Sequence, residues 1–234
     1  VRPMKSLLEI RVPNDELHRR LGGGIPPGSI VLVEGDRGTG KSIFSQRLLY
    51  GFLKNGHSAT YVSSQYTTPE FINQMESLGY GIVPELIKRR LLFVSLYPLL
   101  VGLSDRKKFL NRFVGEPRLW KTDVIIIDSV SALLSSDIGE DEAREFSLHL
   151  KRVSALGKAI ILTVNPSDIG SDALRVFEEA STMLIRLSVK VFGGDLKNSA
   201  TIVKYNNAPG IFQKIIPFRV EPRVGFIVEI AAVV

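Results

Sequence analysis

Cysteine is absent from the 234 residues, and with it go disulfides, thiolate zinc sites and cysteine nucleophiles. Such a chain suits a reducing compartment or a hot one equally. Long apolar runs are missing too. The longest, 91–103, is broken by Ser95, Pro98 and Gly102 and falls short of the roughly 20 residues a membrane-spanning helix needs. The opening Val1-Arg2-Pro3-Met4-Lys5 has no apolar signal core, which argues against export and for the cytoplasm. Histidine is scarce: His18, His57 and His149 fall at none of the usual metal-ligand spacings. No metal cluster is expected, and all three read as surface or packing residues.

What remains is ordinary in bulk. With 44% hydrophobic and 23% charged residues, the chain is not intrinsically disordered. At this length it can bury about 70% of its extended surface, so one self-sufficient core is expected. Lysine and arginine exceed the acids by six, a modest basic balance. Lys88-Arg89-Arg90 and Arg106-Lys107-Lys108 fit nucleic acid, anionic lipid or an acidic partner, and equally an ordinary solvated face.

Short apolar runs alternate with helical periods, the pattern of an α/β fold with a parallel sheet. Strands are expected over 30–34, 59–63, 91–96, 124–128 and 159–164. Helices are expected over 41–54, 69–78, 106–113 and 140–156. In the last, Ala143, Phe146, Leu150, Val153 and Gly157 recur at three- and four-residue steps and set one face against the sheet. Thr68 before Pro69 reads as an N-cap. Beyond about residue 181 the helices stop. Strands over 183–189, 201–204, 217–220 and 226–230, divided by Gly, Asn and Pro, suggest an antiparallel extension of the same sheet. No linker or repeat divides the chain, so residues 1–234 are expected to form one domain.

The strongest motif is Gly35-Asp36-Arg37-Gly38-Thr39-Gly40-Lys41-Ser42, which matches G-x-x-x-x-G-K-[ST], the phosphate-binding loop. Ordinary residue frequencies produce it in roughly one chain in a hundred of this length. A preceding apolar run and a following amphipathic one make coincidence rarer still. Gly38 and Gly40 let backbone amides from Gly38, Thr39, Gly40, Lys41, Ser42 and Ile43 turn toward phosphate oxygens. Lys41 brings a cation to the β- and γ-phosphates, the Ser42 hydroxyl can ligate Mg²⁺, and the helix dipole adds to both. ATP and Mg²⁺ are the implied cofactors.

Val124-Ile125-Ile126-Ile127-Asp128 supplies the second acid such a site needs. An apolar strand ending in a carboxylate is weak evidence alone, but after a phosphate loop it reads as the Walker B strand, with Asp128 holding Mg²⁺ or its waters. Asn165 ends another strand at the same edge. It suits a γ-phosphate sensor, or simply an Asn opening the Pro166 turn. The acidic Glu140-Asp141-Glu142 lies at an expected helix start, where negative charge favours the dipole.

Leu21-Gly22-Gly23-Gly24-Ile25-Pro26-Pro27-Gly28-Ser29, the phosphate loop, and Ile127-Asp128-Ser129-Val130-Ser131-Ala132-Leu133 resemble the RecA/KaiC class of P-loop ATPases. Lys204-Tyr205-Asn206, Pro217-Phe218-Arg219-Val220 and Gly225-Phe226-Ile227-Val228 resemble the C-terminal strands of KaiC-type members. The resemblance runs from about Leu17 to Ile230. Within that class, Asn73-Gln74-Met75-Glu76-Ser77-Leu78-Gly79, Leu162-Thr163-Val164-Asn165-Pro166 and Phe218-Arg219-Val220-Glu221-Pro222 are most similar to nucleotide-binding components of the archaellum motor. The resemblance implies a nucleotide-dependent ring or docking component, a homo-oligomer on ATP binding, held peripherally at the inner face of the cytoplasmic membrane through its partners. Its implied partners are the assembly/rotation ATPase and membrane-platform or ring components.

Two departures from the KaiC pattern point to a site that holds ATP more than it hydrolyses it. Gln65 and Tyr66 stand where such proteins place water-activating glutamates, and an amide orients water but accepts protons poorly. Lys204 matches the lysine of a Lys-x-Arg pair that reaches a neighbour's γ-phosphate, but Asn206 replaces the arginine, and an arginine finger is worth ~10³–10⁵ in rate. The rival readings are a DNA-binding recombinase paralogue and a KaiC-like kinase. Recombinases need basic or aromatic loops after the Walker B strand and the next one. Segments 131–138 and 165–174 carry no basic residue, so nucleic acid is the less favoured partner. A single domain counts against the kinase.

Overall fold

The computed structural model describes residues 6–229 except 14, 98, 101, 102, 104, 135–138, 193 and 194, and except the side chains of 190, 192, 195 and 196. Eleven strands are assigned: β1 (Leu8–Glu9), β2 (Gly24–Ile25), β3 (Ile30–Glu34), β4 (Ala59–Ser63), β5 (Leu91–Ser95), β6 (Val124–Asp128), β7 (Ala159–Val164), β8 (Met183–Phe192), β9 (Asp195–Tyr205), β10 (Ile215–Glu221) and β11 (Gly225–Val228). The helices are α1 (Leu17–Arg20), α2 (Lys41–Lys54), α3 (Thr68–Ser77), α4 (Val83–Ile87), α5 (Arg106–Val114), α6 (Val130–Leu133), α7 (Glu140–Ala155) and α8 (Ser171–Ala180).

Strands β3 to β11 form one sheet in the order β11-β10-β9-β8-β3-β7-β6-β4-β5. β3, β4, β6 and β7 are buried along their whole length, which is why they read as unbroken apolar runs: parallel strands are covered on both faces. Alternate residues feed two cores. Val31 and Val33 join Phe44, Leu48, Phe52 and Phe71 on the α2 side. Ile30 and Leu32 join Phe146, Leu150 and Phe177 on the α7 side.

Several expectations are corrected. Residues 183–189 do not begin the antiparallel extension: β8 runs parallel to β3, with Leu184 beside Leu32, and the direction reverses only at β9. β8 and β9 also extend beyond the expected 183–189 and 201–204, because they pair with each other as a long hairpin. The N-cap of α3 is Thr67, not Thr68. Glu70 accepts from both the Thr67 N–H (2.8 Å) and its hydroxyl (2.7 Å), so Thr68 and Pro69 fall inside the first turn, where proline's missing donor costs nothing. Segment 165–174, expected as a loop, is a 3₁₀ turn leading into α8. The expected 131–138 loop begins as α6, and its residues 135–138 lie outside the described ones, as do residue 230 of the expected last strand and the segment 1–5.

The N-terminal segment is held by a buried ion pair. The Arg47 guanidinium, fully buried on α2, donates to the Asp15 carboxylate and to the Ile10 carbonyl (2.9 Å). Among the described residues no helix is long and apolar enough to cross a membrane.

Candidate nucleotide site

In an open parallel sheet, ligands bind beyond the carboxyl ends of the strands. There lies a cleft of about 810 Å³ that brings together Gly38, Gly40, Lys41, Ser42, Ile43, Gln65, Asp128 and Asn165. Thr39, the remaining phosphate-loop residue singled out above, is buried, and its hydroxyl donates to the Asp36 carbonyl (2.8 Å). Gly38 and Gly40 hold φ of 82° and 91°, a left-handed backbone that side-chain-bearing residues rarely adopt. No heavy atom lies within 4 Å of where a Gly38 Cβ would stand, so the loop presents backbone to open space.

The Lys41 ammonium donates to the Gly35 (2.6 Å) and Asp36 (2.7 Å) carbonyls, folded back over its own loop. Burial lowers its pKa, while Asp128, Asp36 and Asp168 act in the opposite sense. Asp128 is 2% exposed. One carboxylate oxygen accepts from the Tyr61 hydroxyl (2.8 Å) and the other from the Thr163 hydroxyl (2.6 Å). Burial first, and then the Asp128 charge, raises the Tyr61 pKa well above its ordinary value, so the phenol remains a donor. The Ser45 hydroxyl lies 3.0 Å from that phenol and also reaches the Ser42 carbonyl (2.9 Å). A chain of hydroxyls thereby links the phosphate-loop helix to Asp128. Each Asp128 oxygen keeps a lone pair, and with the Ser42 hydroxyl in the same cleft the donor set is all oxygen, which suits a hydrated Mg²⁺.

Gln65 sits on the turn after β4, its N–H directed to the Ser63 hydroxyl (3.2 Å). Asn165 serves the Pro166 turn: its carbonyl oxygen accepts from the Ser167 N–H (3.3 Å), and its amide donates to Asp168 (2.7 Å). Lys204 stands apart from the cleft. It pairs with Leu184 across β8 and β9, and its ammonium donates to the Glu178 carbonyl near the end of α8 (2.7 Å). Asn206 lies just beyond β9, its N–H on the Thr182 carbonyl (2.8 Å).

The sequence did not single out Arg106, Arg37 or Asp168 as lining residues, yet all three face the cleft. Arg106 opens α5, and its guanidinium donates to the Ala132 carbonyl (2.7 Å). Its neighbour Lys107 pairs instead with Glu142 (2.7 Å). Topology held the signal, since a helix following a parallel strand begins at the ligand edge. Arg37 and Asp168 (3.2 Å) pair across the mouth, an exposed bridge of little energetic weight. Among the described residues, Asp128 and Asp168 are the carboxylates lining the cleft.

A family model described as "ATPase: KaiC" matches residues 14–231. The archaeal flagellar ATP-binding protein FlaH of Methanocaldococcus jannaschii is 48% identical over 97% of this chain and 98% of its own. The FlaH of Methanococcus voltae is 42% identical over 96% and 98%. The crystal structure of the flagellar accessory protein FlaH from M. jannaschii superposes with a TM-score of 0.88 at 47% identity, over 97% of this chain and 100% of that one. The KaiC-like protein PH0186 of Pyrococcus horikoshii, 20% identical with a TM-score of 0.74, shares the fold. With the 35–42 loop and Asp128 meeting in one cleft, the chain belongs to the KaiC-type ATPases and, within them, to the FlaH family of archaeal flagellar proteins.

Proposed function

We propose that this chain binds ATP with Mg²⁺ in the cleft and acts as a slowly hydrolysing, nucleotide-dependent subunit of the archaellum motor. The observation that carries the reading is the composition of the cleft. It has a phosphate-loop sequence with two left-handed glycines, a cation, and one buried carboxylate, Asp128, held by two hydroxyls. The loop amides and Lys41 bind the phosphates, Lys41 exchanging two carbonyls for phosphate oxygens. Ser42 and Asp128 would hold Mg²⁺, which would supply charge neutralisation at the phosphates. Among the described residues the other lining carboxylate, Asp168, is engaged with Arg37 and Asn165, so among them no free general base stands ready for water. Kinship with FlaH supports the setting. The partners are then the assembly/rotation ATPase and membrane-platform or ring components, at the inner face of the cytoplasmic membrane.

Titration calorimetry of Mg-ATP against the parent and Lys41→Ala tests this. The loss of one charge-assisted contact predicts at least a tenfold fall in affinity, about 1.4 kcal/mol, with unfolding unchanged in cooperativity. Equal affinities for the two proteins contradict the assignment.

A further inference from the structure

The edge opposite the cleft, where the parallel strands begin, is one continuous strip. The Ala59 N–H donates to the Arg90 carbonyl, Val124 to Ser58, and Ala159 to Asp123, while the Lys158 ammonium reaches the Lys121 carbonyl (2.7 Å). Four segments meet there: 54–58, 85–90, 116–123 and 152–158. Together they carry eight lysines and arginines against three carboxylates, nearly the whole basic excess of the chain. All three carboxylates are engaged: Glu85 with Arg90 (2.6 Å), Glu116 with Arg118 (2.7 Å), and Asp123 with the Ser58 N–H (2.8 Å). Lys54, Lys88, Arg89, Lys121 and Arg152 are exposed and pair with no carboxylate among the described residues.

Bases at helix C-termini complement the helix dipole, and that accounts for part of the pattern. The backbone of Arg89 is a separate observation. With φ of 57°, Arg89 occupies the left-handed position after α4, with its N–H on the Leu86 carbonyl and the Arg90 N–H on the Glu85 carbonyl. Glycine fills that position with least strain. A strained arginine on an exposed edge points to a use for its charge. Two aliphatic side chains stand among the bases, Ile87 at 77% and Leu156 at 68% exposure. The strip's one large aromatic, Trp120, is buried, so it offers no platform for stacked bases.

We infer that this edge is a docking face for an anionic lipid surface, the bases meeting headgroup phosphates and the two aliphatics entering the interface. It is separate from the nucleotide cleft and does not depend on it. Co-sedimentation of the full chain with phosphatidylcholine vesicles, with and without phosphatidylglycerol, tests the inference. Binding is expected only to the phosphatidylglycerol vesicles and to weaken as salt rises. Each unpaired base is worth about fivefold in binding, so Lys88→Glu/Arg89→Glu and, elsewhere on the strip, Lys121→Glu/Arg152→Glu should each weaken it by about 25-fold or more. Arg89→Gly should weaken it while relieving the backbone, and Lys41→Ala should leave it intact. Equal binding to both vesicle types, binding to neither, or indifference to both charge reversals overturns the inference. So does a duplex oligonucleotide that binds through the same residues while vesicles do not.

Discussion

Gln65 faces the cleft from the turn after β4, where the resemblance to KaiC-type proteins implies a proton acceptor. An amide positions water without taking its proton, and forgoing a general base typically forfeits 10²–10⁴ in rate. Set against ordinary turnovers of ~10 per second, the parent is expected to release phosphate on the order of once per minute or less. Gln65→Glu should raise that rate, as followed by inorganic phosphate release at saturating Mg-ATP. A parent cycling several times per second contradicts the argument, and an unchanged rate in the variant shows that a base was not what the site lacked.

Tyr61 acts between elements: from β4 its hydroxyl reaches Asp128 on β6 and lies beside Ser45 on α2, while Thr163 reaches the same carboxylate from β7. Tyr61→Phe leaves one Asp128 oxygen buried without its donor, which costs about 1–3 kcal/mol. A lower denaturant midpoint with an unchanged slope, together with weaker Mg-ATP binding, is expected; a midpoint equal to the parent's would contradict it. Such cross-strand links were not legible in the sequence. The polar atoms of Tyr61 and Thr163 sit inside apolar runs, and only the register of β4, β6 and β7 makes them meet. The strand, loop and helix of 30–54 and the strand ending at Asp128 were legible because each is a run of consecutive residues with one pattern. Helix α8 went unread although Ala173, Val176, Phe177 and Ala180 carry its buried face, because the Asn-Pro-Ser-Asp turn before it read as continuing loop. The paired β1 and β2, two residues each, are too short to show any period.

For the molecule as a whole, bound nucleotide is also a source of stability. A ligand at a hundredfold excess over its Kd favours the state that binds it by ~2.7 kcal/mol, enough to shift a marginal subunit contact without hydrolysis. ATP more than ADP is therefore expected to promote self-association, and Lys41→Ala to weaken it. Lys204→Ala should weaken it while leaving the monomer's ATP affinity nearly intact, if Lys204 exchanges the Glu178 carbonyl for a neighbouring subunit's phosphate. Sedimentation velocity with ATP, with ADP and with neither decides this, and identical distributions in all three would count against it. The five-residue strands β3, β4 and β6 bear on the same question. Their length holds the cleft and the basic edge roughly 16 Å apart, about two Debye lengths at physiological salt. A change of charge in the cleft is thus largely screened at the basic edge. Filling or emptying the cleft should therefore leave the pull of a negatively charged boundary on the basic edge nearly unchanged, so that attachment at one end and nucleotide exchange at the other proceed independently.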